Sequence, residues 1–249
     1  RKMIIFAAPS GAGKSSLIKK IVESSDGKIE LSVSVTTRSP REGEEHGIDY
    51  FFVTDEEFNA LKIDSREIKK DNLFLAIKGK NNDGNNFIGK ALKNGASFII
   101  SSKNIKKYKK KIIKINNPIS FLNKFATLKR NNSSAKILAV TGSAGKTSLK
   151  NMLHFLLEEF GNTYSSPRSF NNHYGVPISL ANLNSQHEFG VFEVGMSKSG
   201  EINKLSKMIK PNLAVITNIA EAHIENFKNI KGIANAKSEI INNVQKNGM

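Results

Sequence analysis

Two short segments of the sequence carry the residues that bind nucleotide phosphates. Residues 10–15 read Ser-Gly-Ala-Gly-Lys-Ser and residues 142–147 read Gly-Ser-Ala-Gly-Lys-Thr. In such loops the glycines let backbone N–H groups converge on phosphate oxygens, the lysine reaches the terminal phosphates, and the last hydroxyl binds Mg²⁺. We therefore predict sites for a magnesium nucleoside triphosphate, at Gly11, Gly13, Lys14 and Ser15, and at Gly142, Ser143, Ala144, Gly145, Lys146 and Thr147. The alternative is a tight turn that binds nothing, and Ala8 and Val140 do replace the first glycine of the full pattern.

Polar residues downstream of the second loop could hold a cation. Glu193 lies near the end of an apolar run at residues 190–194, and His223 follows another at residues 213–217. The carboxyl ends of parallel strands form the sheet edge where ligands bind. Glu193 is therefore a candidate magnesium ligand, with a surface acid as the alternative, and His223 is either functional or structural. Asn171 and Asn172 are assigned only loosely, to substrate or phosphate contacts.

Both loops need a strand before them and a helix after them, and the sequence predicts these elements. Apolar runs at residues 3–8 and 137–140 precede the loops, and amphipathic stretches at 17–22 and 146–160 follow them. Further strands are predicted at residues 73–77, 97–100, 190–194 and 213–217, a helix at 87–92, and a polar linker at 130–134. This alternation predicts an α/β protein with mostly parallel sheets covered by helices.

The composition excludes several classes of protein. The 249 residues suffice for one or two domains, and they include no cysteine, so disulfides and thiolate sites are excluded. The longest apolar run has six residues, at 3–8, far below the length that spans a membrane. The chain begins at Arg1 without a signal-peptide pattern, so we expect a cytoplasmic protein whose translation start is missing.

Charge and asparagine content change abruptly near Leu61. Residues 1–61 contain 8 Lys and Arg against 10 Asp and Glu, whereas residues 62–249 contain 30 against 12. Asparagine occurs once in the first part and 27 times in the second, which indicates two sequences of different origin. The densest basic cluster, residues 103–114, has one aromatic residue, Tyr108, so a solvated face is favoured over nucleic-acid binding.

The first part resembles guanylate kinase in the loop at residues 10–15 and in residues 32–44 and 47–52. The resemblance implies that Ser34, Arg38, Arg41 and Tyr50 hold the phosphate of GMP, and guanidinium forks and hydroxyls do suit a dianion. The catalytic lid of that family does not follow Leu61. We therefore expect no useful guanylate kinase activity.

The second part resembles the Mur ligase family in five ordered groups of motifs. They lie at residues 64–66 with 72–79 and 83–84, at 140–147, at 170–172 with 175–177, at 193–196 with 200–202, and at 217–223 with 236–240. The resemblance implies an ATP-dependent ligase of peptidoglycan synthesis that forms an acyl phosphate. Residues 170–172 and 193–196 favour the branch that adds D-alanyl-D-alanine to UDP-N-acetylmuramoyl-tripeptide over the amino-acid-adding branches.

The same resemblance implies roles for particular residues. Ser65 and Arg66 belong to the domain that grips the uridine diphosphate end of the substrate. Lys237 matches a lysine that reacts with carbon dioxide and becomes a carbamate ligand of Mg²⁺. The implied catalytic set is Lys146, Glu193, His223 and Lys237, and the implied metal ligands are Thr147, Glu193, His223 and Lys237.

We accordingly predict three regions: a guanylate-kinase-like fragment at residues 1–61, a uridine-binding α/β domain at 62–133, and an incomplete P-loop ATPase domain at 134–249. Because the family's later strands and carboxy-terminal domain do not follow, we expect marginal folding and weak or no activity. Two alternatives remain open. The chain could be a guanylate kinase with a divergent tail, or a non-catalytic nucleotide-binding or basic adaptor protein.

Overall fold

The computed structural model describes residues 60–79, 82–222, 224–246 and 248, with a few short stretches before residue 60. The chain forms two compact units, Arg1–Phe58 and Asn59–Met249. In the first unit, strand β1 (Ser34–Thr36) pairs in parallel with β2 (Tyr50–Phe52), so that Ser34 and Tyr50 are register partners. The first predicted loop, with Gly11, Gly13, Lys14 and Ser15, lies outside the described residues, as do Arg38 and Arg41.

The second unit begins with a four-stranded parallel sheet. Its strands lie in chain order: β3 (Ala60–Lys62), β4 (Asn72–Leu75), β5 (Ala96–Ser101) and β6 (Ile112–Lys114). Two 3₁₀ helices, Gly84–Phe87 and Lys106–Lys111, and helix α1 (Ile88–Lys93) connect them. A small core forms where α1 packs on the sheet, because Ile88, Phe74 and Ile99 are all almost fully buried.

Helix α2 (Pro118–Asn132) leads to a second four-stranded parallel sheet. Its order is β10-β7-β9-β8, with β7 (Lys136–Thr141), β8 (Thr163–Ser165), β9 (Phe189–Glu193) and β10 (Leu213–Ile216). The helices are α3 (Lys146–Glu158), α4 (Gly175–Ala181), α5 (Glu201–Ile209) and α6 (Ile230–Ser238), with 3₁₀ helices at Ile224–Asn226 and Glu239–Asn243. The predicted α/β fold with parallel sheets is confirmed.

Strand β7, one of the two inner strands of this sheet, is buried on both faces, as an apolar run in a parallel sheet requires. Ile137 and Ala139 face the larger core, which α5 and α6 complete. Leu138 and Val140 face α3, where Leu149, Leu153 and Leu157 cover them. The other large apolar residues of that helix, Met152, Phe155 and Leu156, are more than half exposed. None of the helices within the described residues is long and apolar enough to cross a membrane.

The predicted linker at residues 130–134 is wrong, because α2 continues to Asn132. Arg130 is 8% exposed, and its guanidinium donates to the carbonyls of Ile209 at 2.6 Å and Lys210 at 2.8 Å. These carbonyls lie at the end of α5, where no helical N–H can reach them. A polar stretch that resembled a linker is therefore a cap on a neighbouring helix.

A second contact ties the two sheets together near the compositional break. Leu61, in β3, is fully buried. The side chain of Asn182 accepts a hydrogen bond from the Leu61 N–H at 2.8 Å and donates one to the Leu61 carbonyl at 3.1 Å. Asn182 follows α4 directly. We call the first sheet with its helices the first lobe and the second sheet with its helices the second lobe. The edge strand of the first lobe thus pairs with a side chain of the second lobe as if with another strand.

Candidate nucleotide and metal site

The loop at residues 142–147 connects β7 to α3 and adopts a conformation that only its glycines allow. Gly142 has a φ of 148°, and a Cβ built on it would lie 1.9 Å from Oγ1 of Thr217. Gly145 has a φ of 79° and is the N-cap of α3. The loop therefore delivers the free N–H groups of a helix N-terminus to the sheet edge, where they can bind phosphate.

The segment after β10 fixes the outer side of the loop. The Ser143 hydroxyl donates to the Ala220 carbonyl at 3.0 Å and accepts from the Ala220 N–H at 2.9 Å. The Ala144 N–H donates to Oδ1 of Asn218 at 2.8 Å. These contacts give the motif at residues 217–220 a structural role, because it holds the loop that follows a neighbouring strand.

Lys146 begins α3 and folds back over the loop. Its Nζ donates to the Gly142 carbonyl at 2.8 Å and lies 3.4 Å from the Ser143 carbonyl. Both bonds are to backbone oxygens of the loop itself. The ammonium is therefore held directly above the backbone that would bind phosphate.

Glu193 ends β9 with its carboxylate buried, at 1% exposure. Oε2 accepts a hydrogen bond from the Thr147 hydroxyl at 2.7 Å, and Oε1 accepts one from Nδ2 of Asn171 at 2.7 Å. A buried carboxylate is costly unless a cation compensates its charge. The hydroxyl and the carboxylate are the oxygen ligands that hold Mg²⁺ beside a nucleotide in P-loop proteins, so the donor set fits that ion.

A magnesium ion here would need ligands beyond the protein. Among the described residues, no group of three or more His, Cys, Asp or Glu side chains converges on one point. Mg²⁺ characteristically takes one or two carboxylates and completes its shell with phosphate oxygens and water. The arrangement of Thr147 and Glu193 matches that requirement.

Lys237, in α6, is also buried, at 3% exposure. Desolvation, reinforced by the nearby charge of Lys146, lowers the pKa of Lys237 to about 8. A minor fraction of this amine is therefore neutral near physiological pH, far more than for an exposed lysine, and only a neutral amine is nucleophilic.

One cavity of about 510 Å³ lies between the loop at residues 142–147, Asn171 and Lys237. Of the predicted residues, six line it: Gly142, Ser143, Lys146, Asn171, Asn172 and Lys237. Thr147 and Glu193 are linked to it through Asn171. Its neighbouring wall includes Ala222, whereas His223 lies outside the described residues.

Gly195 allows the close approach of two loops at the end of β9. Its N–H donates to the Asn171 carbonyl at 2.8 Å, and a Cβ at this position would lie 2.9 Å from the Asn171 side chain. The glycine lets the loop at residues 170–172 approach Glu193. The following segment is held by Glu201, which accepts from the N–H groups of Ser197 and Lys198.

Ser65 and Arg66 do not line this cavity, because they follow β3 in the first sheet. Ser65 is buried, and its carbonyl accepts from Nδ2 of Asn94 at 2.8 Å. The Arg66 guanidinium bonds Asp64 at 2.6 Å, and this bond lowers the pKa of Asp64 to about 2. The segment approaches the second lobe through the ion pair between Glu67 and Arg168, at 2.9 Å.

The sequence did not predict that Lys150 and Ser166 belong to the site's surroundings. Lys150 is 2% exposed and bonds the backbone next to Glu193, and Ser166 accepts from the Glu193 N–H. One signal was available. Lys150 lies four residues after Lys146, so both lysines occupy the same side of one helix.

The parallel sheet and the buried acid bonded to the loop threonine define the class: a P-loop α/β protein. The Mur ligase middle-domain family matches residues 140–249, and the Mur ligase catalytic-domain family matches residues 44–130. The chain from about residue 60 onward belongs to the Mur ligase family. Residues 1–73 match the guanylate kinase family, as the sequence resemblance predicted.

Individual relatives agree with this assignment. The UDP-N-acetylmuramoyl-tripeptide–D-alanyl-D-alanine ligase of Rickettsia prowazekii is 44% identical over 190 residues, which is 76% of this chain and 42% of that protein. The structure of MurF ligase from Thermotoga maritima in complex with ADP is 34% identical, with a TM-score of 0.65, over 79% of this chain and 46% of that one. A MurF structure from Acinetobacter baumannii is 33% identical with a TM-score of 0.66, over 76% of this chain and 42% of that one. The chain thus spans about two fifths of the length of the curated relatives it matches.

Proposed function

We propose that residues 60–249 provide the nucleotide site and the uridine-substrate lobe of an ATP-dependent ligase that joins D-alanyl-D-alanine to UDP-N-acetylmuramoyl-tripeptide. The observation that carries this proposal is the bonding of Glu193 to Thr147 and Asn171 beside Lys146 and Lys237. The names of the relatives supply the substrates. The proposed location is the cytoplasm, and the proposed partners include no membrane or nucleic acid.

The chemistry of the site suits the activation of a carboxylate. ATP phosphorylates the terminal carboxylate of the tripeptide and releases ADP; the amine of D-alanyl-D-alanine then attacks the acyl phosphate and displaces inorganic phosphate. Lys146 would bind the terminal phosphates, and the N–H groups at the start of α3 would bind the phosphate oxygens. Mg²⁺ would neutralise the clustered phosphates and carboxylate.

The proposed ligands of Mg²⁺ are Thr147, Glu193, His223 and a modified Lys237. The neutral amine of Lys237 would attack carbon dioxide and form a carbamate with loss of one proton. Burial and the neighbouring Lys146 favour this reaction, because both lower the pKa of the amine. The product is an anion, so the modification would convert repulsion from Lys146 into attraction.

Substrate contacts are proposed at two places. Asn171 and Asn172 line the cavity and would contact the substrate or the phosphates. Ser65 and Arg66 would contact the uridine diphosphate end, and the Arg66 side chain is exposed enough to reach a ligand.

Separate titrations of the whole chain test this proposal. One uses the non-hydrolysable ATP analogue AMPPNP with Mg²⁺, and the other uses UDP-N-acetylmuramoyl-tripeptide. We expect both to bind, with Arg66→Ala weakening the uridine ligand alone and Arg66→Lys, which keeps the charge, weakening it less. Failure of the uridine ligand to bind the folded chain would contradict the proposal.

A second candidate function concerns the amino-terminal unit. The match of residues 1–73 to guanylate kinase, and the register pairing of Ser34 with Tyr50, favour a GMP phosphate site that also uses Arg38 and Arg41. We propose binding without useful phosphoryl transfer. Titration with GMP should show binding, and steady GMP-dependent release of ADP from ATP would contradict the absence of transfer.

A further inference from the structure

Lys150 lies on α3 one turn beyond Thr147, and water scarcely reaches it, since its exposure is 2%. Its Nζ donates to the Ser166 carbonyl at 2.7 Å and to the Arg168 carbonyl at 2.6 Å. Removing an ammonium from water is costly, and short charge-assisted bonds offset part of that cost. Both backbone oxygens that Lys150 binds belong to one segment, residues 166–171.

That segment, residues 166–171, bonds Glu193 at both ends. The Ser166 hydroxyl accepts from the Glu193 N–H at 3.2 Å, and the Ser166 N–H donates to the Val191 carbonyl at 2.9 Å. At its other end, Asn171 donates to the Glu193 carboxylate. Lys150 therefore contacts the backbone that connects the two groups bonded to Glu193.

The conformation of the segment needs such an anchor. Arg168 has a φ of 48°, in the left-handed region that non-glycine residues seldom adopt. Its carbonyl is one of the two that Lys150 binds, so the ammonium stabilises the turn at its strained residue. The positive charge of Lys150 also lies close enough to Glu193 to interact with it electrostatically.

We propose that Lys150 is a positioning residue for the nucleotide-bound magnesium ion. It fixes residues 166–171 so that Ser166 and Asn171 hold Glu193 against Thr147. The inference rests on the proposed function, because it requires that Thr147 and Glu193 hold the cation. Lys150 lies outside the P-loop pattern, and it would influence the binding of the cation only through the position of Glu193.

The test is the affinity for AMPPNP with and without Mg²⁺, measured by titration calorimetry on the whole chain carrying Lys14→Ala, so that the first loop does not contribute. Lys150→Met keeps the length of the side chain and removes its donors. We expect the Mg²⁺-dependent gain in affinity to fall by about tenfold or more, as for other residues that orient a metal ligand. Affinity without Mg²⁺ should stay within about twofold. Lys231→Met, on the exposed side of α6, is the matched control and should change neither value.

A double-mutant cycle with Glu193→Gln separates positioning from a general structural role. In the Glu193→Gln background, Lys150→Met should cause no further loss, because both changes act on one interaction. An equal loss with and without Mg²⁺, or an undiminished loss in the Glu193→Gln background, would overturn the inference. If Lys150→Met does not fold, Ser166→Ala is the second variant. It leaves both carbonyl acceptors of Lys150 in place and removes the contact to the Glu193 N–H. An unchanged Mg²⁺ dependence of the affinity in this variant would overturn the inference. An unmodified chain that gains no affinity from Mg²⁺ would instead contradict the proposed function.

Discussion

The two parallel sheets of the Asn59–Met249 unit differ in how their polar side chains are used. After the strands of the first sheet, polar groups bond one another: Asn85 accepts from Ser101 at 2.6 Å and donates to Asp83 at 2.6 Å. Lys103 completes this network by pairing with Asp83 at 2.9 Å. At the same edge of the second sheet, Glu193 and Lys237 are buried beside a cavity, and neither has an ion-pair partner within 4.0 Å among the described residues.

We propose that the polar groups of the first sheet maintain the fold and that those of the second sheet bind a ligand. A closed network such as that of Asp83 and Asn85 gains stability from its own bonds. Buried charges without an ion-pair partner, such as those of Glu193 and Lys237 among the described residues, lower stability until a ligand compensates them. The comparison predicts that substitutions in the first sheet reduce stability, whereas substitutions around the cavity reduce binding.

The largest effect is expected for Lys146→Ala in the chain that also carries Lys14→Ala, where it should weaken AMPPNP binding by about 100-fold, the value of a charge-assisted phosphate contact. The thermal unfolding midpoint should barely change, because Lys146 bonds only the loop it covers. Calorimetric titration and thermal unfolding of the same sample measure both. Unchanged affinity would remove the loop at residues 142–147 from the site.

Ser101→Ala should show the opposite pattern. It leaves the buried Oδ1 of Asn85 and the N–H of Lys103 without their partner, and we expect a loss of about 2 kcal/mol in the free energy of unfolding. AMPPNP binding should not change. Ser97→Ala is the control for chemical denaturation. Ser97 lies in the same strand as Ser101, and its substitution removes only a 3.3 Å contact to Asp71, so the free energy of unfolding should fall by about 0.5 kcal/mol or less. A loss of nucleotide binding in Ser101→Ala would break the comparison.

Bicarbonate should strengthen AMPPNP binding in the presence of Mg²⁺ by a few fold, through Lys237. Because the pKa of Lys237 is lowered to about 8, its neutral form increases from pH 6.5 to 8.5, and the carbamate should increase with it. Carbon-13 NMR with labelled bicarbonate measures the carbamate directly. Lys237→Arg keeps the charge but not the reactive amine, and a persistent signal in that variant would refute the assignment.

The smallest effect is expected for Glu67→Gln, which breaks the ion pair with Arg168 between the two lobes. Both side chains are partly exposed, so the free energy of unfolding should fall by about 0.5 kcal/mol or less. A double-mutant cycle with Arg168→Met in urea measures the pair. A coupling above about 1 kcal/mol would mean that the exposed contact, and not only the buried ones, joins the lobes.

The sequence predicted those parts of the molecule that depend on local pattern. The strand–loop–helix around Lys146 and the strands ending at Glu193 and Ile216 follow from apolar runs and glycines, and the structure has them. The errors and omissions concern pairs that are distant in the chain. Arg130 caps a helix about 80 residues away, and Asn182 pairs with Leu61 across 121 residues, which no periodicity reveals. The burial of Lys150 was not predicted either, because it depends on neighbours that are distant in the chain.

The joint formed by α2, Arg130 and Asn182 has a consequence for the ligands. Arg130 caps α5 and Asn182 pairs with the edge strand β3, and both contacts resist a movement of one sheet against the other. If Arg66 binds one end of the substrate, as proposed, its separation from the cavity beside Lys146 sets the length of substrate that can reach both places. A shorter substrate would then contact only one of the two places at a time.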